Sequence, residues 1–377
     1  MSNIRKKLSD ISLLGFGDIS SAFLAALFWF ILAAISDQSQ YGEITYIISI
    51  STLLSTISLL GASNVITVFV AKKHNLSFLY FISIILSVIC GIISSVILKN
   101  FMIILLPLGF VMFQLVTSKI LGTKNYRKLT YFVISQKLIL LISGLIFFKI
   151  FGINGVIIGM TISLFPYSIV IIKELKQNRI NLKILKDKFH FITTSYVQTL
   201  IGALYSSLDK ILILPLFGYA VLGEYALGLQ FLTILMVIPE ILRKYLLPND
   251  STGYKNTRLR FYAIFFSAII SVFGYFASPI IIALFFPKFE LTANIIQILS
   301  LNVFPNTIMY TYWTRFVAQE RNRSTIIVSS CKTSTFVIGI LLVSKDYGII
   351  GITFVILIAS IITALVSFFI YRITLKK

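Results

Sequence analysis

Apolar runs long enough to cross a lipid bilayer recur from one end of this 377-residue sequence to the other. Two examples are FLYFISIILSVICGIISSVIL and FGINGVIIGMTISLFPYSIVII, and each reaches the roughly 20 residues that span a hydrocarbon core as an α-helix. Only 12% of the residues are charged, whereas a soluble domain carries about 25%. The chain lacks the polar surface of a soluble protein, so we expect an all-α protein embedded in a membrane.

The apolar runs divide the chain into about twelve predicted spans, separated by charged residues or by glycine and asparagine. The spans lie near residues 12–35, 43–70, 77–98, 101–121, 129–149, 152–172, 191–216, 222–247, 259–286, 291–317, 324–343 and 348–371. The segment KELKQNRINLKILKDK is the only connection long enough to be a linker. We therefore predict an N-terminal six-helix half at 1–172, a cytoplasmic basic linker at 173–190 and a C-terminal six-helix half at 191–377.

The distribution of basic residues supports this count, because cytoplasmic loops of membrane proteins are rich in lysine and arginine. Of the 33 lysine and arginine residues, 26 fall in alternate connections and three lie inside predicted spans. The opposite connections hold only Lys99, Lys149, Lys288 and Lys345. This alternation predicts a multi-pass protein of the cytoplasmic (inner) membrane with both termini in the cytoplasm.

The formal net charge of +20 fits a membrane partner. Basic loops face anionic lipid headgroups, where each cation contributes about 1 kcal/mol of attraction. A nucleic-acid-binding protein would place basic residues among exposed aromatic residues in a soluble domain, and the sequence has no such segment. We expect contact with membrane lipid and none with nucleic acid.

Two pairs of short motifs indicate that the halves are repeats. The motif YGEITY from Tyr41 aligns with LGEYAL from Leu222 at an offset of 181, and FGINGVIIG from Phe151 resembles YGIIGITFV from Tyr347 at an offset of 196. Because each half has six spans, the halves would enter the membrane in the same direction, as two parallel six-helix repeats around a central cleft. The alternative is chance recurrence of glycine in short turns.

Charged residues within apolar spans are candidates for a substrate site, because a charge at the bilayer centre costs at least about 2.5–3.5 kcal/mol. Asp18 lies on a small and polar stripe of the first span, and Asp209 lies with Lys210 on a matching stripe of the seventh. We predict that these three residues line the cleft and that Asp18 or Asp209 couples transport to protons or sodium ions. Alternatively, Asp209 and Lys210 only anchor the end of their helix.

Glu240 and Arg243 lie one helical turn apart in the eighth predicted span, and this spacing predicts a salt bridge between them.

Lys137 and Lys332 lie deeper, in the fifth and eleventh spans. At the offset of 196, Lys332 aligns with Gln136, so the two repeats carry cations at nearly the same depth. Two cations that face one cavity would attract an anion such as a diphosphate. The alternative is that each lysine pairs with an acid, such as Asp18, and only holds the halves together.

The sequence gives no sign of a catalytic or metal site. Cys90 and Cys331 lie in predicted spans without metal or redox spacing. A membrane polymerase, ligase or glycosyltransferase usually needs a large external loop or a catalytic cluster at the interface, and every predicted external connection is short. We therefore expect no enzyme activity, no cofactor and no metal.

Three segments carry a resemblance to a known family. They are LLGFGDISSAFLAALFWFILAAISDQSQYGEITYIISI near the N-terminus, LLGASN from Leu59, and LDKILILPLFGYAVLGEYALGLQ, in which Asp209, Lys210, Gly223 and Tyr225 match an Asp-Lys pair and a Gly-x-Tyr turn. On these motifs the chain resembles the Wzx-type polysaccharide flippases of the multidrug/oligosaccharidyl-lipid/polysaccharide (MOP) exporter superfamily.

The resemblance implies a transporter that flips a polyprenyl-diphosphate-linked oligosaccharide by alternating access, for synthesis of a cell-surface polysaccharide such as O-antigen. An anionic substrate of this kind agrees with the cations at Lys137 and Lys332. The alternative is an ion-coupled small-molecule or drug exporter of the same superfamily, which would favour acids over lysines within the membrane.

Overall fold

The computed structural model describes residues 2–71, 76–177, 189–251, 257–319 and 321–375. Within these ranges every regular element is a helix, which confirms the predicted all-α class. Most of the predicted basic linker at 173–190 lies outside the described residues, as do the basic connections at 72–75 and 252–256.

The described residues form thirteen α-helices and two short 3₁₀ helices, Phe101–Ile103 and Phe165–Ser168. In chain order the α-helices are α1 (Ser2–Ile35), α2 (Gln38–Leu59), α3 (Ala62–Ala71), α4 (Ser77–Ile97), α5 (Leu105–Gly122), α6 (Tyr126–Leu164), α7 (Ile169–Gln177), α8 (Phe189–Leu235), α9 (Val237–Ser251), α10 (Thr257–Phe285), α11 (Glu290–Ser300), α12 (Val303–Ala318) and α13 (Asn322–Leu375).

Among the residues that the structure describes, eight stretches of helix are long and apolar enough to cross a membrane, so the chain is a multi-pass membrane protein. Three of them, Tyr126–Lys176, Ile192–Leu235 and Arg323–Ile373, contain 44 to 51 residues, although roughly 20 residues suffice for one crossing. Each of the three is broken by a glycine and supplies two spans. Helices α11 and α12 together supply one more, which gives the predicted twelve.

The glycines that break the long helices have positive φ angles. Gly152 has φ 59° and ψ −136°, Gly348 has φ 58° and ψ −149°, and Gly218 has φ 78° and ψ 178°. This region is nearly restricted to glycine, because a side chain there costs about 1–3 kcal/mol. Gly152 and Gly348 are the two glycines aligned at the offset of 196. The backbone therefore bends with the same conformation at equivalent positions of the two predicted repeats.

The chain forms two compact units. Unit 1 comprises Met1–Leu32 and Glu43–Ile211, and unit 2 comprises Ala33–Gly42 and Leu212–Lys377. The first part of α8 thus packs within unit 1, whereas the predicted C-terminal half at 191–377 includes α8 from residue 191 onward. Packing and repeat boundaries are different properties, so the predicted halves stay a prediction.

Small residues bring α1 and α6 close together in unit 1. The hydroxyl of Thr130 donates a hydrogen bond to the carbonyl of Leu13 at 3.1 Å, and Gly17 lies against the same threonine. Farther along, a Cβ atom added at Gly144 would lie 2.7 Å from the Phe28 ring. Close packing over small residues is a principal means of helix association in membranes, and it places one stripe of α6 along α1.

Two glycines allow the start of α2 to cross α8 within unit 2. A Cβ atom at Gly42 would lie 2.0 Å from the Tyr219 carbonyl oxygen, and one at Gly223 would lie 2.1 Å from the Gln38 carbonyl oxygen. At the offset of 181, Gly42 aligns with Gly223 and Gln38 with Tyr219. The contact is therefore reciprocal, as expected for two segments related by a two-fold axis.

The remaining helices of unit 2 pack around α12. Helix α12 contacts α9, α10 and α13, and α10 also contacts α11. Met309, Phe316, Val328 and Ala364 form a buried cluster between α12 and α13. This packing brings residues distant in sequence to the two cavities described below.

Candidate functional site

A small pocket in unit 2 is lined by charged and aromatic side chains. It lies between α9, α12 and α13 and has a volume of about 130 Å³. Its chemistry comes chiefly from Glu240, Arg243, Tyr310, Trp313, Ser329 and Lys332. Three helices contribute to the pocket, which we call the Lys332 pocket.

Helix α9 supplies an ion pair to the pocket. The Arg243 Nε atom donates to a Glu240 carboxylate oxygen at 2.8 Å, which confirms the salt bridge predicted from their spacing. The Tyr310 hydroxyl donates to the other carboxylate oxygen, also at 2.8 Å. Both oxygens of Glu240 are thus engaged, and the carboxylate holds the arginine in place.

The Arg243 guanidinium also packs against two aromatic rings. It lies 5.7 Å from the centre of the Tyr310 ring and 5.5 Å from that of Trp313. These distances are typical of cation–π interactions. No described residue accepts a hydrogen bond from the two terminal amines of Arg243, so these donors are available to a ligand.

Lys332 reaches the same pocket from α13. Its ammonium donates to the side-chain oxygen of Asn306 at 3.1 Å, and it is also attracted by the nearby Glu240 carboxylate. The Asn306 amide donates in turn to the Asn302 carbonyl at 2.9 Å. An amide oxygen orients the lysine without neutralising it, so Arg243 and Lys332 together exceed the charge of Glu240 by one.

Lys137 occupies a different environment, in unit 1. It lies on α6 midway between Thr130 and Gly144, seven residues from each, and therefore on the stripe of α6 that contacts α1. The side chain is half-buried. Within the part of the chain that the structure describes, its ammonium has no hydrogen bond or ion pair. A cation of this kind inside a span is a functional-site candidate by default.

The residue beside Lys137 is also incompletely satisfied. Gln136 is buried, and its amide nitrogen donates to the Ser163 hydroxyl at 2.9 Å. Its amide oxygen is buried without a hydrogen bond to any described residue. Buried polar atoms are usually bonded, so α6 carries an unused acceptor beside an unpaired donor.

The two lysines lie at matched distances from the equivalent glycine bends. Lys137 precedes Gly152 by 15 residues, and Lys332 precedes Gly348 by 16, which at the helical rise corresponds to about 22 and 24 Å. Each lysine thus lies at a similar distance from its own bend, and equal depth in the membrane stays a prediction. Their access to a common cavity stays a prediction.

Asp209 and Lys210 pair with each other on α8. Their side chains approach to 3.1 Å, and the Lys210 ammonium also donates to the Ser206 carbonyl at 2.7 Å. Asp209 is buried, whereas Asp18 on α1 is exposed. The ammonium of Lys210 thus reaches back by one turn to the Ser206 carbonyl and also contacts the adjacent carboxylate.

The sequence analysis did not identify Glu224 as a buried acid with several hydrogen-bond partners. Its carboxylate accepts hydrogen bonds from the Gln38 side chain at 2.6 Å, from the Thr292 backbone at 2.9 Å and from the Thr292 hydroxyl. An acid in the apolar run YAVLGEYALGLQ was a sufficient signal. Its partners Gln38 and Thr292 lie on α2 and α11, by contrast, and nothing in their local sequence indicated that they contact Glu224.

A metal site is not apparent among the described residues, since no group of three or more histidine, cysteine, aspartate or glutamate side chains is placed to hold an ion. Three acids are instead engaged with other side chains or a backbone amide: Asp209 with Lys210, Glu240 with Arg243, and Glu224 with Thr292.

Comparison with known proteins gives similarity in structure alone. No family model matches the sequence, and no curated protein matches it significantly. The structure is similar to that of the lipid II flippase MurJ in an inward closed conformation, with a TM-score of 0.73, 16% sequence identity and coverage of 96% of this chain and 87% of MurJ.

Multidrug resistance transporters of the MATE family have a similar structure. An inward-facing MATE transporter of the MOP superfamily gives a TM-score of 0.71 at 14% identity, covering 95% of this chain and 94% of the transporter, and an outward-facing one gives 0.61 at 14% identity, covering 97% and 93%. These proteins are transporters rather than enzymes. The chain has the fold shared by the MurJ flippase and the MATE transporters of the MOP superfamily.

Proposed function

We propose that this protein flips a polyprenyl-diphosphate-linked oligosaccharide across the cytoplasmic membrane by alternating access, as a step in the synthesis of a cell-surface polysaccharide. The observation that carries the proposal is the Lys332 pocket, where two cations and two aromatic rings meet between α9, α12 and α13. The fold supports the proposal because the MurJ structure belongs to a lipid II flippase.

The Lys332 pocket suits the junction of a phosphate and a sugar. The terminal amines of Arg243 and the ammonium of Lys332 provide charge-assisted donors for phosphate oxygens. The faces of Tyr310 and Trp313 offer apolar area against which the C–H face of a sugar ring packs. Water occupies about 30 Å³ per molecule in the liquid, so a volume of 130 Å³ takes one phosphate or part of one sugar. The pocket is a subsite for one end of the substrate.

Lys137 supplies a second cation at a matching depth. A charge within lipid costs at least about 2.5 kcal/mol. The charged form of a half-buried lysine without a partner would therefore be stabilised by an anion that binds and dissociates during transport. A diphosphate meets that requirement. We propose that Lys137 and Lys332 each contact the diphosphate during the transport cycle.

An ion gradient is the proposed source of energy, with Asp18 or Asp209 as the coupling carboxylate. A proton on Asp209 would remove its charge attraction for the Lys210 ammonium, which now lies 3.1 Å away and also donates to the Ser206 carbonyl. Flipping in vesicles should then depend on a proton or sodium gradient. Equal rates with and without both gradients would refute coupling while leaving the flippase proposal intact.

Direct binding to the Lys332 pocket can be measured by fluorescence. The chain has two tryptophans, so the variant Trp29→Phe leaves Trp313 as the only one. Titration with a polyprenyl-diphosphate oligosaccharide should change Trp313 emission at a concentration that rises when Lys332 is replaced by methionine. A fluorescence change that is the same in Lys332→Met would contradict binding at this pocket.

Transport itself is tested in proteoliposomes with a fluorescent polyprenyl-diphosphate oligosaccharide. The wild type and Lys345→Met, a control at an exposed lysine of the same helix, should both flip the lipid. The double variant Lys137→Met with Lys332→Met should fold and fail to flip it. If the wild type flips no such lipid, the proposal is wrong.

One observation favours the alternative of an ion-coupled exporter. The Lys332 pocket contains the Glu240 carboxylate, and an acid is the group that would attract a cationic drug. MATE transporters also share the fold. Gradient-driven export of a cationic dye that is lost in Glu240→Gln, with no flipping of lipid-linked sugars, would support the exporter.

A further inference from the structure

A second cavity in unit 2 is larger and almost wholly apolar. It has a volume of about 630 Å³ and lies between α10, α12 and α13, within the roughly 300–1,000 Å³ of typical ligand pockets. Val272, Ile361 and Leu365 line it and are 44–53% exposed. Because these residues lie on membrane-spanning helices, the cavity is a groove that opens towards lipid. We call it the apolar groove.

The length of the apolar groove matches one leaflet of a bilayer. On α13 it extends from Leu357 to Phe368, which is eleven residues or about 16 Å of helix. The hydrocarbon core of a bilayer is about 30 Å thick, so one leaflet accounts for about 15 Å. A single lipid chain therefore fills the groove from the bilayer centre to the headgroup level.

The Phe368 end of the apolar groove is basic. The guanidinium of Arg372 lies 5.2 Å from the centre of the Phe368 ring, and that of Arg315 lies 4.7 Å from the centre of the Tyr371 ring. Aromatic faces hold the two arginines beside the groove. No carboxylate among the described residues forms a salt bridge with either of them.

A third arginine adds to this basic end. Arg260 lies near the Tyr312 hydroxyl, as do Arg315 and Arg372, and Tyr312 packs against Phe368 with ring centres 6.0 Å apart. Asp250 forms a salt bridge with Arg260. The described part of this cluster retains an excess of positive charge at the level where a lipid phosphate would lie.

We propose that the apolar groove binds one chain of an anionic phospholipid of the surrounding bilayer, with its phosphate held by Arg315 and Arg372. Basic pockets between spanning helices are the sites at which anionic headgroups bind. The phospholipid is a resident partner of the protein. Its binding does not depend on the identity of the transported substrate.

The test measures retention of phosphatidylglycerol against phosphatidylcholine by native mass spectrometry of the detergent-solubilised protein during titration with each lipid. The wild type should retain one phosphatidylglycerol in preference to phosphatidylcholine. Arg372→Gln should weaken this binding about fivefold, the equivalent of the roughly 1 kcal/mol that one cation contributes near a headgroup. Arg258→Gln, at an exposed arginine of α10, should leave it unchanged.

Variants that fill the apolar groove test the chain-binding part. Ile361→Trp should abolish preferential retention, and Leu365→Trp is a second variant at an exposed lining position. Ile358→Trp is the matched control, because Ile358 is equally exposed on α13 but does not line the groove. A thermal unfolding scan identifies any variant that fails to fold.

Three outcomes would overturn the proposal. The first is equal retention of the two lipids by the wild type. The second is normal retention by folded Ile361→Trp and Leu365→Trp. The third is occupation by something else, seen either as stoichiometric displacement by a polyprenyl diphosphate or as crosslinking between two copies of Ile361→Cys.

Discussion

Lys332 and Lys137 lie at matched distances from two glycine bends of the same conformation, yet their surroundings differ. Lys332 donates to Asn306 in a pocket with an arginine, a glutamate and two aromatic rings. Lys137 has no partner among the described residues. The comparison teaches that the repeats preserve the backbone bend and the placement of a cation, while the chemistry around the cation belongs to each half separately.

The largest expected effect is on transport. Lys332→Met removes a charged donor, and a hydrogen bond to a charged group is worth about 1.5–3 kcal/mol, so the initial flipping rate should fall about 10- to 100-fold. Lys137→Met should lower the rate by a similar factor if both lysines contact the diphosphate. Flipping assays on the two single variants, with Lys345→Met as control, measure the ratio. A loss confined to one lysine would show that the anion site belongs to one unit.

Replacement of the equivalent glycines tests the similarity of the two bends. Gly152→Ala and Gly348→Ala should each lower the free energy of unfolding by about 1–3 kcal/mol, because both place a side chain at a φ angle that favours glycine. Gly202→Ala is the control, since Gly202 lies within α8 with open space around it and alanine favours helix there. Thermal unfolding in detergent gives the three values. Unequal losses at Gly152 and Gly348 would break the equivalence.

Stability should respond in opposite directions to loss of the two lysines. Lys137→Met removes a half-buried charge without a partner and should stabilise the protein by about 1–2 kcal/mol. Lys332→Met leaves the buried Asn306 oxygen without its donor and should destabilise it by about 1 kcal/mol. Unfolding temperatures of the two variants in one detergent decide the matter. Destabilisation by Lys137→Met would mean that Lys137 has a partner after all, and stabilisation by Lys332→Met would mean that its bond to Asn306 contributes nothing.

The smallest expected effect concerns the aromatic wall of the Lys332 pocket. Trp313→Leu removes the ring beside Arg243 and should weaken binding of the lipid-linked sugar about fivefold, equivalent to the roughly 1 kcal/mol of a cation–π contact. Trp29→Leu, at the other tryptophan, should leave the affinity unchanged. Binding of a labelled lipid-linked sugar to each variant provides the measurement, and equal affinities would exclude Trp313 from the subsite.

Much of the fold follows from local pattern. The predicted twelve spans agree with the structure because an apolar run of about 20 residues has few alternatives to a spanning helix. The predicted span boundaries near 149–152 and 343–348 also agree with the bends at Gly152 and Gly348, since a positive φ angle selects glycine at the level of a single residue. The salt bridge of Glu240 and Arg243 also followed from spacing along one helix.

The composition of the pocket did not follow from local pattern. Lys332 was selected as an intramembrane charge, but Tyr310, Trp313 and Asn306 are on another helix, and neither a ring nor an amide is unusual in an apolar span. Their meeting depends on how α9, α12 and α13 pack.

The sequence by itself determined that this chain lies in a membrane, how many times it crosses and where its helices bend, because lipid requires each span to satisfy its backbone hydrogen bonds internally and to present apolar side chains. The tertiary structure alone decided which lysine has a partner, which aromatic rings face Arg243 and where a groove one leaflet deep remains open. Those properties arise from contacts between helices far apart in the chain, and no single segment encodes them.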